Sequence, residues 1–223
     1  MEFYCNLYWR RYTWVHDTGE ENRYKLFLPW NRLLLNNLEW SISNAVGHQV
    51  NVPYWQWNVN RAIPEPFQAE IGGWMKVYRS IFHDGDKLPT SEDIEAIMEK
   101  DTLESFTIKL EKLHNTVVEW VGPTMASNDK ALMDPVFWLH SSYMDKLWER
   151  WRLIYGIKGL FGITEDGPFA TASWDVALDQ DITVEGYSRN IKDTHIDTQA
   201  WVPVTKLYDS TELGYKYSHL DYY

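Results

Sequence analysis

Residues 114–151, HNTVVEWVGPTMASNDKALMDPVFWLHSSYMDKLWERW, decide the fold because their pattern predicts two helices joined by a polar loop. Apolar side chains recur at helical spacing over residues 107–121, and the Gly-Pro pair at 122–123 then ends the first helix. The Asp-Pro pair at 134–135 predicts the start of the second helix, since an acceptor side chain followed by proline suits a first turn. Two helices of this kind are expected to pack against each other in a bundle.

The same stretch resembles the second copper-binding half of the tyrosinase and catechol oxidase family. That half is written roughly H-N-x-V-H-x-W-V-G-G-x-M and, after a spacer, D-P-x-F-W-L-H-H-x-x-x-D-x-L-W. The matching residues are His114, Asn115, Val117, Trp120, Val121, Gly122, Met125, Asp134, Pro135, Phe137, Trp138, Leu139, His140, Asp145, Leu147 and Trp148. A match that runs over two helices implies the family's fold.

Three further segments carry the resemblance. Residues 26–46 are similar to the first copper-binding half, F-L-P-W-H-R-x-x-L-x-x-x-E-x-x-L. Residues 52–58 are similar to the family's L-P-Y-W-D-W turn, and residues 202–217 to its closing segment. The resemblance implies a single tyrosinase-like domain over residues 1–223, without the C-terminal shielding domain that some members have.

The expected fold is mostly α, a four-helix bundle core with long loops and little β structure. The four central helices are predicted at residues 3–16, 31–45, 107–121 and 135–154. A polar loop is predicted over residues 17–23, and a further helix is predicted to open at Ser91 and lead into the third central helix.

The metal-binding positions of the second half hold mostly other residues. In the family, two histidines four apart lie on one helix face and grip a metal ion, and a third comes from the facing helix. His114 matches the first of these, but the position four residues later is Val118. The third position is Ser141, because His140 matches the first histidine of the H-H pair, which is not the ligand.

The first half is altered in the same way. Its ligand positions are Asn31 and, nine residues earlier, Asn22, and the nearest candidate for its remaining ligand is His16. Amide and hydroxyl oxygens are poorly matched to copper. We therefore expect no dicopper centre and no cofactor, with a single zinc or copper ion held by His16 and His114 as an alternative.

Replacing imidazoles with smaller side chains leaves volume between the helices, a common place for a ligand site. We expect catalysis from His114, Asn31, Ser141 and His16, with histidine as acid or base and the amides as hydrogen-bond donors. Substrate contacts are expected from Asn22, Asn115, Val118, Met125, Phe137 and His140.

Three hypotheses for function follow. In the first, the protein is a non-redox enzyme of natural-product biosynthesis that cyclises, rearranges or eliminates from a small aromatic substrate. In the second, it is a catalytically inactive relative that binds a ligand or a protein partner, and His114 is a core histidine bonded to a backbone carbonyl. In the third, it is an enzyme that uses a single metal ion.

The composition limits which classes of partner the protein is expected to bind and where in the cell it is expected to be. The net charge of −11, from 21 basic and 32 acidic residues, argues against a nucleic-acid partner or an anionic membrane surface. A single cysteine, Cys5, excludes an internal disulfide. No secretory signal and no apolar run of the roughly 18 residues needed to cross a bilayer is visible. We therefore expect a soluble, cytoplasmic protein.

Overall fold

The structure, a computed structural model, describes residues 20–68, 77–80, 84–127, 130–161 and 207–220. This part of the chain contains four α-helices: α1 (Glu20–Val46), α2 (Ser91–Met98), α3 (Leu103–Val121) and α4 (Pro135–Phe161). Short 3-10 helices lie at Glu65–Phe67, Gly85–Lys87, Ala131–Met133 and Ser210–Leu213. The described residues form no strand, and the predicted mostly α fold is confirmed.

Helix α1 begins earlier than predicted. Residues 20–23 were expected in a loop and the helix was expected from residue 31, but the helix starts at Glu20 and continues through Pro29. Proline lacks an N–H and crowds the preceding turn, which is why the sequence favoured a start after it. The helix persists because it buries Leu28, Leu34 and Leu35 in the core, and packing contributes more than propensity.

Helices α2 and α3 are separate, each with its own N-terminal cap. The side chain of Thr90 accepts from the amide of Asp93, and Thr102 accepts in the same way from Ser105. These caps satisfy amides that have no partner inside the helix, so α3 starts at residue 103 instead of the predicted 107. It ends at Val121, as predicted.

The end of α3 is set by Gly122, whose φ is 112°. A Cβ at this position would lie 2.4 Å from the amide nitrogen of Ser80, too close for any side chain. The approach lets the Ser80 amide donate to the Val121 carbonyl at 3.0 Å. Residues 77–80 are therefore joined to the C-terminus of α3.

Helix α4 starts at Pro135, as predicted, with the Asp134 carboxylate accepting from the amide of Val136. The same carboxylate binds the Arg79 guanidinium through two contacts, of 2.9 and 2.7 Å. The helix kinks at Gly156, where φ is 66°, close to the predicted end at residue 154.

The packing of α1, α3 and α4 against one another positions the site. Large aromatic side chains fill the core between them, as the high tryptophan content suggests: Trp55, Trp57, Phe106, Trp148 and Trp151 are each at most 1% exposed. No helix within the described ranges is long and apolar enough to cross a membrane. The predicted helix over residues 3–16 lies outside the described residues.

Candidate functional site

Two histidines meet where α3 faces α4. Nδ1 of His114 lies 2.8 Å from Nε2 of His140, with ring centroids 4.9 Å apart and planes inclined by 27°. His114 is partly buried and His140 is fully buried. The hydrogen-bond partner of His114 is thus an imidazole, not the backbone carbonyl expected for an ordinary core histidine.

Two further aromatic side chains, Trp57 and Phe27, pack against the histidine pair and orient it. Nε1 of the buried Trp57 donates to Nδ1 of His140 at 3.0 Å. Phe27 of α1 meets the His114 ring edge-on, with centroids 5.5 Å apart. His140, expected to contact substrate, instead has both ring nitrogens engaged with other side chains.

Both imidazoles are neutral at pH 7. Burial lowers the pKa of His114 to about 4, because the charged ring would lose its hydration. Burial, and then the nearness of His114, holds the pKa of His140 well below its usual range. Neutral rings can serve as hydrogen-bond donors, acceptors or proton acceptors.

Asn31 and Ser141 join α1 to α4 beside the histidines. The Asn31 side-chain amide donates to the Ser141 main-chain carbonyl at 3.0 Å. The Ser141 hydroxyl is buried, and among the described residues it has no hydrogen-bond partner. A buried polar atom without a partner costs about 1–3 kcal/mol, so a group that hydrogen-bonds to this hydroxyl would stabilise the site.

The other residues predicted from the sequence differ in whether the structure places them near this site. Val118 is buried one turn after His114, whereas Asn115 is exposed because adjacent helical residues point about 100° apart. The structure therefore does not bring Asn115 to the site. Met125 and Phe137 are buried among core side chains. All of His16 and the side chain of Asn22 lie outside what the structure describes.

A buried charge network lies next to Asn31 on α1. The Arg32 guanidinium binds the Asp145 carboxylate at 2.7 Å and the Glu149 carboxylate at 2.9 Å, with all three side chains fully buried. It also donates to the main-chain carbonyls of Leu207 and Tyr208, at 2.9 and 2.8 Å. The sequence signal for this network was two acidic residues four apart on one face of α4.

A separate cleft of about 810 Å³ lies away from the histidines, between the C-terminal half of α1, residues 47–51 and residues 212–215. Glu39 lines it, and its carboxylate accepts from the Val52 amide at 2.6 Å. Burial raises the pKa of Glu39 to about 7. None of the predicted site residues lines this cleft, and no pattern in the sequence predicts it.

Comparison with known proteins places these features in a family context. Residues 74–154 match the profile described as the common central domain of tyrosinase. The tyrosinases of Streptomyces lincolnensis and Streptomyces glaucescens are each 31% identical over 183 residues, which is 61% of this chain and 66% of theirs. A hemocyanin of Enteroctopus dofleini, A-type units Ode to Odg, is 26% identical over 88% of this chain and 17% of its own length.

The solved structure of a functional unit from octopus hemocyanin shares the fold, with a TM-score of 0.65 at 23% identity. It aligns with 89% of this chain, which spans 53% of that structure. The chain therefore spans no more than about two thirds of the relatives named here.

These relatives correct one expectation. From the residues at the ligand positions we predicted no cofactor, with a single metal ion as an alternative. Tyrosinases and hemocyanins are dicopper proteins, so the family points to copper and the prediction of no cofactor is wrong.

The described residues do not by themselves fit such a centre. Within these ranges, no three His, Cys, Asp or Glu side chains are grouped so that they could hold a metal ion. Nδ1 of His114 is bonded to His140, the Asn31 amide is bonded to a carbonyl, and the Ser141 hydroxyl is a poor copper ligand. The copper that the family implies and the donors that this part of the chain supplies therefore disagree.

Proposed function

Because the chain is a tyrosinase-like member of the type-3 copper family, we propose that it acts on a small aromatic molecule where α1, α3 and α4 meet. The proposed reaction is a non-redox cyclisation, rearrangement or elimination of the kind found in natural-product biosynthesis. The observation that carries the proposal is the group formed by His114, Asn31 and Ser141 around one turn of α4.

His114 is the proposed acid or base. It is neutral at pH 7, partly exposed, and held by a ring that is itself anchored to Trp57. A catalytic group must be oriented before its pKa matters, and this chain of contacts orients the ring. Among the described residues, His140 is the titratable side chain that hydrogen-bonds to His114 and stacks on its ring.

Asn31, Ser141 and Val118 are the proposed walls of the site. The Ser141 hydroxyl needs a partner, and a substrate oxygen would supply one. Val118, buried one turn after His114, offers an apolar surface beside these polar groups. A few directed polar groups beside an apolar wall suit a flat aromatic ligand.

The comparisons favour a second candidate, copper-dependent oxidation of phenols, because the most similar relatives named above are tyrosinases. The catalytically inactive binding protein is a third. Substrate oxidation separates the first two, since cyclisation, rearrangement and elimination consume no oxygen.

The test uses the full chain, with and without copper loading. Each preparation is incubated with simple phenols and catechols, and with phenols that carry a carbonyl side chain, while oxygen uptake and product mass are followed. The proposal expects products that are isomers of the substrate, or that have lost a small molecule, without oxygen uptake. Oxygen uptake on phenols after copper loading would establish the oxidase instead, and tight binding of these compounds without any product would establish the inactive relative.

A further inference from the structure

Trp57 constrains the protons of two histidines. An indole N–H is a donor with no lone pair, so it can only donate. It lies 3.0 Å from Nδ1 of His140, and both residues are fully buried. Nδ1 of His140 must therefore be the unprotonated nitrogen of that ring.

The constraint passes on to the next ring. An imidazole with an unprotonated Nδ1 carries its proton on Nε2, which in His140 lies 2.8 Å from Nδ1 of His114. Since two N–H groups cannot face each other across a hydrogen bond, His140 donates and Nδ1 of His114 accepts. The proton of His114 is then on its Nε2.

We infer that Trp57, acting through His140, holds His114 in the tautomer that presents an N–H donor at Nε2. Trp57 and His140 are positioning residues, and within the described part of the chain no hydrogen bond occupies Nε2 of His114. This inference rests on the proposed function for its consequence, and it narrows the role of His114 there: with Nδ1 accepting from His140 and Nε2 protonated, the ring acts on a substrate as a hydrogen-bond donor. The substrate class that fits is an aromatic molecule with an acceptor oxygen, a carbonyl or a phenolate, to accept from that N–H.

The same chain of bonds opposes metal ligation. A metal ion at Nε2 of His114 needs a lone pair there, so the proton would have to move to Nδ1. His140 would then have to accept at Nε2 and carry its own proton at Nδ1, directly against the indole N–H of Trp57. Binding a metal ion through Nε2 of His114 therefore breaks the hydrogen bond from the Trp57 indole to Nδ1 of His140.

Trp55 supplies a matched control. It is also buried, it lies two residues away in the same turn, and its indole N–H donates to the Asn60 carbonyl at 2.8 Å. Trp55→Phe therefore removes an indole donor of the same kind without touching either histidine.

The experiment observes the ring nitrogens directly. The ligand-free full chain, labelled with ¹⁵N-histidine, is examined by long-range ¹H–¹⁵N correlation NMR at pH 7. We expect a protonated Nε2 and an unprotonated Nδ1 on both His114 and His140. Trp57→Phe should yield a mixture of tautomers at both rings, whereas Trp55→Phe should preserve the wild-type pattern.

Titration with zinc, followed at the His114 resonances, gives a second readout. Trp57→Phe should bind zinc at His114 about fivefold more tightly than wild type or Trp55→Phe, the factor expected when one opposing hydrogen bond is removed. A protonated Nδ1 on wild-type His114 overturns the inference even if Trp57→Phe does not fold. Equal effects of the two tryptophan substitutions overturn it as well. Because the spectra need no substrate, failure here is distinguishable from an absence of turnover.

Discussion

Asn31 on α1 donates its side-chain N–H to the main-chain carbonyl of Ser141 on α4, across 3.0 Å in the protein interior. The two residues are 110 positions apart in the sequence, so the bond ties distant parts of the chain together at the candidate site. It also determines what substitutions at residue 31 should do.

Asn31→Asp should destabilise the fold by about 2–4 kcal/mol, because a carboxylate would replace the donor and face a carbonyl in a buried position. Asn31→Leu, which removes the polar group with little change in size, should cost less. Urea denaturation followed by circular dichroism measures both. Asn44→Asp, at an exposed position of the same helix, is the control and should change stability by less than about 0.5 kcal/mol.

His114→Ala should lower turnover of the natural substrate about a hundredfold or more while the fold survives, because the substrate loses the ring that the proposal places against its reacting oxygen. The control is Thr116→Ala, two residues along the same helix and exposed to solvent. The measurement is kcat on whichever carbonyl-bearing phenol proves active. Unchanged turnover in His114→Ala would remove the histidine from the chemistry.

Gly122→Ala should destabilise the protein by about 2–4 kcal/mol, since the new Cβ would collide with the backbone of Ser80 as well as strain a positive φ. Gly47 isolates the second effect, because its φ is 76° and a Cβ there meets nothing within 4 Å. Gly47→Ala should cost only about 1 kcal/mol. Thermal and urea denaturation measure both variants. If Gly122→Ala and Gly47→Ala lose the same stability, residues 77–80 move aside for the added methyl group and the predicted collision is wrong.

Glu39 should make stability depend on pH. Its pKa is raised from 4.5 to about 7 by burial, so the folded state binds a proton that the unfolded state has released between these values. The free energy of unfolding therefore falls as the pH rises from 4.5 to 7. A pKa shift of this size corresponds to a loss of up to about 3 kcal/mol, which is complete above pH 7. Glu39→Gln should flatten the profile of unfolding free energy between pH 5 and 8. Glu212→Gln, at an exposed position of the same cleft, should retain it.

Arg32→Met should cost about 3–5 kcal/mol, because it leaves the buried Asp145 carboxylate without its cation and the buried Glu149 carboxylate with Arg152 alone. Arg150 on α4 pairs with Glu95 near the surface, where solvent screens the attraction. Arg150→Met should therefore cost less than about 1 kcal/mol. Denaturation midpoints of the two variants, each compared with wild type, test the difference.

Local signals in the sequence predicted much of α3 and α4. Two such signals are the Gly-Pro pair at 122–123 and the Asp-Pro pair at 134–135, which act through backbone geometry within a few residues. Helix α3 ends and helix α4 begins where these pairs predict. The start of α1 was missed because Pro29 disfavours a helix locally, whereas the core contacts that maintain α1 come from residues far along the chain.

The candidate site was less accessible to sequence reasoning. Trp57 and His140 are 83 residues apart, and no local pattern shows that their side chains meet. The resemblance supplied the positions of His114, Asn31 and Ser141, but their partners depend on tertiary packing. The predictions for His16 and for a cytoplasmic location stay predictions.

The Arg32 network also has a consequence for synthesis on the ribosome. Its guanidinium contacts partners that lie between 113 and 176 residues further along the chain. While the nascent polypeptide is being made, α1 emerges well before these partners, and the Arg32 guanidinium stays solvated by water until they follow. Bundle closure around Arg32 therefore has to wait until Leu207 and Tyr208 leave the exit tunnel, and until then the emerged part of the chain stays in an open, chaperone-accessible state.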